Sequence, residues 1–254
     1  MLHDQIQEHC KVFKLPRVLE HYQSISATAA KDKLSYSKYL LKLFELEKEG
    51  RIKSSKDMLL KMAGFPKVKT LDMFDYKSSS VNQVQINEIA TLQFIEQTQN
   101  ILFFGPSGVG KTHLAQSIGY VATQKRIRTK FITMNDLLFQ LEAAQSQGKL
   151  ENYFSRIIKS VKLLIIDEFG YIKLNENQAN LFFQIVNKRY ESSSIIITSN
   201  LTFTKWKEIL NNDEALTTAI LDRLIHHSHI INIQGESYRL KQKKKEGILE
   251  ISCS

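Results

Sequence analysis

The sequence predicts an α/β protein in three layers, a parallel sheet with helices on both faces, preceded by a small all-α N-terminal domain. Three observations carry this. Short apolar runs alternate with amphipathic helical stretches between Asn100 and Ile225, the pattern of a parallel sheet covered on both sides. A glycine-rich turn, Gly105 to Thr112, joins the first apolar run to the helix that follows it. From Leu2 to about Met62 the apolar residues recur at helical spacing, with no strand-like alternation.

In the N-terminal stretch Tyr36, Tyr39, Leu40, Leu43, Phe44 and Glu47 fall three and four residues apart. Lysines at 31, 33, 38, 42, 48, 53, 56 and 61 give it a basic cast, whether as a solvated helix face or as a surface for nucleic acid. Gly64-Phe65-Pro66 ends the helical pattern, because proline disfavours helix in the residue before it, and Ser78-Ser79-Ser80 supplies a second break. The expected domains are therefore 1–66 (helical), 67–240 (α/β) and a mobile basic tail, 241–254. Within the α/β part, strands are expected at Asn100 to Phe104, Lys130 to Thr133, Lys162 to Asp167 and Ile195 to Ser199. Helices are expected from Lys111, after a cap at Asn135 or Asp136, over Gln178 to Tyr190, and over Glu214 to Ile225.

A chain of 254 residues has room for one sizeable core and an accessory domain. No apolar run approaches the roughly 18 residues of a membrane span, and the N-terminus lacks a secretory signal pattern, so a cytoplasmic protein without membrane association is expected. The formal net charge of +9 favours an anionic partner beyond a small ligand. Cys10 and Cys253 have no ligand-spaced neighbours, which gives neither a disulfide framework nor a cysteine zinc site.

The segment Gly105-Pro106-Ser107-Gly108-Val109-Gly110-Lys111-Thr112 is a complete phosphate-binding loop in its required context, after an apolar strand and before a helix. Glycines let the backbone wrap phosphate oxygens, amide N–H groups converge at the helix start, Lys111 reaches the terminal phosphates of ATP and the Thr112 hydroxyl ligates Mg2+. Leu163 to Glu168 is an apolar strand ending in two carboxylates. Asp167 is placed to hold the metal and Glu168 to polarise an attacking water. Asn200, at the tip of the next apolar strand, is a candidate to hold that water, or else an ordinary turn residue. Arg223, in an apolar helix, either reaches a phosphate in a neighbouring subunit or pairs locally with an acid such as Asp222. His226, His227 and His229 have no Cys, Asp or Glu completing a metal set in the sequence pattern. Trp206, Phe182 and Phe183 are expected to pack in the core.

With these motifs in order, the chain resembles the IstB family of transposition helper ATPases, within the AAA+ superfamily. The resemblance rests on Gly105 to Ala115, Leu164-Ile165-Ile166-Asp167-Glu168-Phe169-Gly170-Tyr171, Ile197 to Leu201, Ala219 to Ser228, and Gly235-Glu236-Ser237-Tyr238-Arg239-Leu240. Leu15-Pro16 and Phe65 to Leu71 also fit. It implies an ATPase that oligomerises on duplex DNA and assists an IstA-type transposase in target selection. By the same resemblance His113 belongs to the nucleotide-binding loop, Arg223 is an arginine finger acting on a neighbouring subunit's ATP, and Arg239 contacts nucleotide in its own subunit. Phe169 departs from the family pattern, where a smaller aliphatic is expected, without consequence foreseen for catalysis. DnaC-type helicase loaders share the ATPase motifs, and a small-molecule kinase shares only the loop.

Overall fold

The computed structural model describes residues 2–245. The chain divides into two compact units, Met1–Met58 and Leu59–Ser254, and the division falls inside a long helix.

The first unit holds α1 (Leu2–Val12), α2 (Pro16–Lys31) and most of α3 (Tyr36–Ala63). Cys10, Val18 and Leu43 form its core, with Ile6, Leu15, Leu19, Tyr22, Ile25 and Tyr39 packed against them. Cys10 is a free thiol inside this core, and Cys253 lies outside the described residues. The apolar stripe of α3 splits: Tyr39 and Leu43 turn inward, whereas Tyr36 is 94% exposed and Phe44 54%.

Helix α2 begins with Pro16 in its first turn, and its N-cap Leu15 has no side-chain acceptor to offer the free amides. The acceptor comes from α3. Glu47, only 4% exposed, takes the Arg17 and Val18 N–H groups on Oε2 at 2.9 and 3.3 Å, and the Arg51 Nε–H on Oε1 at 2.9 Å. Burial alone pushes this carboxyl's pKa up. The bond from Arg51, the two amides and the Arg51 charge outweigh it and hold the group below its ordinary value of 4.5. A depressed carboxylate pKa contributes stability that is present at neutral pH and disappears as pH falls through the folded-state value. Replacement of Glu47 by alanine is therefore expected to lower stability by about 2 kcal/mol at pH 7. In chemical denaturation of the full chain, the gap to wild type should narrow below pH 4.5.

The second unit opens with two 3-10 turns, Leu71–Met73 and Tyr76–Ser78, and then runs α4 (Gln83–Ile89), α5 (Gln93–Glu96), β1 (Asn100–Phe104), α6 (Lys111–Gln124), β2 (Thr129–Thr133), α7 (Met134–Ser146) and α8 (Leu150–Tyr153). A π-helical stretch at Phe154–Lys159 leads to β3 (Leu163–Phe169), α9 (Glu176–Arg189), β4 (Ser194–Ser199), α10 (Trp206–Ile209), α11 (Glu214–Ile225), β5 (Ser228–Asn232) and α12 (Tyr238–Lys245). The five strands are parallel in the order β2-β3-β4-β1-β5. One face packs on α7, α9 and α11 through residues such as Leu138, Phe182 and Leu224, and the other on α4 and α6 through Ile86, Leu114 and Ile118. These are the three expected layers. No helix of the described residues is long and apolar enough to cross a membrane.

Four local features differ from the sequence expectation. Strand β5 was not expected, because at the sheet edge only Ile231 of its residues is buried and no apolar run marks it. Helix α7 is capped by Thr133 and not by Asn135 or Asp136: the Thr133 Oγ1 accepts the Asp136 N–H at 3.1 Å, so the helix starts directly where β2 ends. Helix α9 starts at Glu176 under a capping box made by Asn175 and Gln178. The basic run from Lys241 to Lys245 is helical and continues α12, while residues 246–254 lie outside the described residues.

The far end of α9 is fixed by Arg189, which is 1% exposed. Its guanidinium donates to the carbonyls of Ile158, Val161, Lys162 and Ser194, tying the helix to the π-helical stretch and to the starts of β3 and β4. Burial without a carboxylate partner lowers its pKa to about 9.

Candidate functional site

The C-terminal ends of β1, β3 and β4 open on a cavity of about 660 Å³, the place where a parallel α/β sheet binds ligands. Residues 105–112 form its floor. Gly108 has φ +85°, and a Cβ there would stand 2.1 Å from the Ser237 hydroxyl, so only glycine lets the residues before α12 lie on the loop. The Tyr238 N–H donates to the Gly108 carbonyl at 3.0 Å, which seats the start of α12 against the loop and brings Arg239 to the cavity wall.

Helix α6 starts after Gly110 in a left-handed conformation, with no side-chain cap. Its first amides are therefore available to an anion, and the helix dipole favours one. Lys111 is 7% exposed, and its ammonium donates to the Gly105 and Pro106 carbonyls, both at 2.7 Å. Burial lowers its pKa, Arg239 lowers it further, and the Asp167 carboxylate opposes the shift.

Asp167 is 4% exposed at the end of β3. Its Oδ1 accepts the Thr112 hydroxyl at 2.9 Å and also the Thr198 hydroxyl from β4. Its second oxygen carries no hydrogen bond from the described residues. A hydroxyl and a carboxylate at a cavity wall are hard oxygen donors that suit magnesium.

Glu168 owes its position to a bulge. The β3–β4 register pairs Ile166 with Ile197 and then Phe169 with Ser199, so Asp167 and Glu168 together oppose the single residue Thr198. Glu168 takes up the extra residue with φ +63°, and its N–H donates to the Thr198 Oγ1 at 3.1 Å. The side-chain parity then reverses. Leu163 and Ile165 face the α6 layer, Leu164 and Ile166 the α9 layer, and Phe169 joins the α9 layer, where strict alternation would have denied it a place. There it packs on Trp206, with ring centroids 4.1 Å apart, and on Phe182 at 5.2 Å. The departure at Phe169 is thus a buried anchor beneath an exposed carboxylate that lines the cavity.

The remaining expected residues divide into three cases. His113 lines the cavity, bonds the Thr70 carbonyl through Nε2 at 2.9 Å and meets Phe74 edge to face. Burial lowers its pKa, with the Thr70 bond opposing the shift and Lys69 adding to it. Asn200 is not among the residues at the cavity wall. Its Oδ1 is buried without a hydrogen bond, close to where a side chain on Gly170 would sit. Arg223 is also away from the cavity, beside Asn100 at the opposite end of β1. It makes no ion pair with Asp222. Its Nε donates to the Asn187 Oδ1 at 3.1 Å, its Nη1 to the Ala219 carbonyl at 2.8 Å, and the guanidinium lies over the Phe183 ring at 5.2 Å.

Two features of the wall were missed in sequence. Thr198, not marked by any sequence motif, is the β4 residue that meets Asp167. The segment from Pro66 to Ser78, including Met73, Phe74 and Asp75, closes one side of the cavity. Its sequence signal is the Phe65 to Leu71 resemblance. Glu191, distant from the histidines in the sequence, lies beside His226 and His227 in one exposed cluster.

The profile of the IstB-like ATP binding protein family matches residues 8–246. This chain belongs to that family. Among similar proteins, the ATP-binding protein of insertion sequence IS5376 from Geobacillus stearothermophilus is 44% identical over 242 residues, covering 95% of this chain and 96% of its own. The corresponding protein of IS21 from Pseudomonas aeruginosa is 40% identical over 237 residues, covering 93% and 89%. In solved structures, AMPPCP-bound DnaA from Aquifex aeolicus has a TM-score of 0.54 at 26% identity, over 74% of this chain and 57% of that one. The DnaC helicase loader has a TM-score of 0.51 at 24% identity, over 65% and 96%, which is a likeness of fold. This IstB-like chain is an ATP-binding protein with the AAA+ fold.

The Thr198→Val variant keeps the shape of the side chain and removes both of its hydrogen bonds, leaving the Asp167 carboxylate and the Glu168 amide short of a partner. Nucleotide affinity should change by less than about threefold, while any ATP turnover falls by about 10- to 100-fold. Equilibrium binding of a fluorescent nucleotide beside steady-state phosphate release measures the two separately.

Proposed function

We propose that this chain hydrolyses ATP within a homo-oligomer assembled on duplex DNA, and that the assembly serves an IstA-type transposase in target selection. The observation that carries the reading is the bulge that puts Glu168 on the cavity wall next to Asp167 and Thr112. A site that only bound nucleotide would gain nothing from a carboxylate there, since it repels the terminal phosphate. A carboxylate in that place is useful if it accepts a proton from a water attacking in line.

In this reading the loop from Gly105 to Thr112 wraps the phosphates with its backbone amides, and Lys111 leaves the Gly105 and Pro106 carbonyls to bond the terminal phosphates. Thr112 and Asp167 would hold Mg2+, which when bound offsets phosphate charge. Arg239 adds charge from α12 of the same subunit. Asn200 takes part when its carboxamide turns toward the water, and its unpartnered oxygen has no hydrogen bond to break in doing so. Arg223 acts in trans. Its guanidinium is held by Asn187 and Phe183 and makes no ion pair among the described residues, which leaves it able to meet a neighbouring subunit's phosphate.

The net charge of +9 supports binding to DNA, with the lysine-rich helices of the first unit as the proposed contact. The insertion-sequence names of relatives at 44% and 40% identity support a transposase over a replicative helicase as the partner. A pull-down with both candidates tests that choice, and retention of the helicase alone would reverse it.

Glu168→Gln should retain nucleotide and lose about 10²- to 10⁴-fold in turnover, whereas Lys111→Ala should not bind nucleotide. Mixing Arg223→Ala with Glu168→Gln subunits, each inactive alone, should recover part of the activity on duplex DNA. Sedimentation with ATP, ADP and no nucleotide should show DNA-bound oligomers only with ATP. A nucleotide-indifferent monomer without DNA affinity would sink the proposal.

A further inference from the structure

We propose that Glu191, His226 and His227 form a binding site for one divalent transition-metal ion of the zinc class, at the end of the sheet opposite the nucleotide cavity. One ligand atom from each of the three side chains lies within 4.8 Å of the other two. An ion with bonds of about 2 Å draws its donors to within about 4 Å of one another, and side-chain rotation alone can close that difference because all three groups are exposed.

The backbone beneath the site is already fixed. Glu191 follows the end of α9, which the Arg189 guanidinium ties to the carbonyls of four residues on neighbouring elements, and it takes φ +55°. His226 closes α11, its N–H bonded to the Asp222 carbonyl at 3.0 Å. The two ends meet through Tyr190, whose hydroxyl bonds the His226 Nδ1 at 3.0 Å. This is the outer-shell contact that orients a metal-binding imidazole, and it leaves Nε2 for the ion.

The donor set selects the class of ion. Two imidazoles and one carboxylate suit zinc and its neighbours, whereas magnesium and calcium take sets made of oxygen. Glu191 brings the negative charge of the donor set, and Asp222 and Arg223 stand close by around Tyr190. Three protein donors also leave a fourth position for water or for a group from another molecule. A bound ion would join the ends of α9 and α11, the helices that carry Asn187 and Arg223.

The test is calorimetric titration of the tag-free full chain with Zn2+, together with the visible spectrum of the Co2+-loaded protein. Wild type should bind one ion per chain and show the intense absorption of a four-coordinate Co2+ site. Glu191→Ala and His227→Ala should each weaken binding by at least about tenfold, and Tyr190→Phe, which removes only the outer-shell bond, by about tenfold. A Cys10→Ser/Cys253→Ser double variant should bind as wild type does. No stoichiometric binding, equal binding in the Glu191 and His227 variants, or loss of binding in the cysteine variant would each overturn the assignment. Because the three ligands are exposed, circular dichroism should show the alanine variants folded.

Discussion

The arrangement of this protein depends on one carboxylate taken out of water at the end of β3. Burying an ionised group is costly unless hydrogen bonds replace its hydration. Asp167 meets that demand with two hydroxyls on one oxygen, Thr112 from the first turn of α6 and Thr198 from β4. Three elements far apart in sequence are thereby locked at one point. The phosphate loop, which precedes Thr112, is held in register with the strand ends from which the rest of the cavity wall rises.

The bulge follows from the same pairing. Thr198 serves both the Asp167 carboxylate and the Glu168 amide, so two residues of β3 are gathered opposite one residue of β4. On the buried side, the extra residue lets Phe169 reach Trp206 and Phe182, and that aromatic packing offsets the cost of a left-handed backbone at Glu168. Core packing and the exposed carboxylate are two consequences of one irregularity.

The cavity itself is assembled from distant pieces of the second unit. Gly108 admits Ser237 and seats α12, Phe74 meets His113 edge to face, and Lys111 answers to both Asp167 and Arg239. At the other end of the sheet, α9 and α11 hold Arg223 on an amide and an aromatic ring, without an ion pair among the described residues. An ATP-binding cavity at one end and a presented cation at the other suit the proposal of a site shared between neighbouring subunits.

Much of this was legible in the sequence because the signals are local. The four interior and edge strands β1 to β4, the helices α6 and α11 and the phosphate loop follow from apolar runs, helical spacing and glycine placement, each confined to a few neighbouring residues. What was not legible depends on partners distant in the chain. The strand β5 exists because β1 offers it a ladder, and Thr198 rather than Asn200 reaches the cavity because pairing with β3 sets its height. Glu191 joins His226 and His227 only when α9 and α11 end side by side. The sequence by itself determined which chemical groups the protein owns and the α/β frame that carries them. Tertiary structure alone decided which groups share one carboxylate, since a one-residue bulge reverses every side-chain direction beyond it and leaves no mark in local composition.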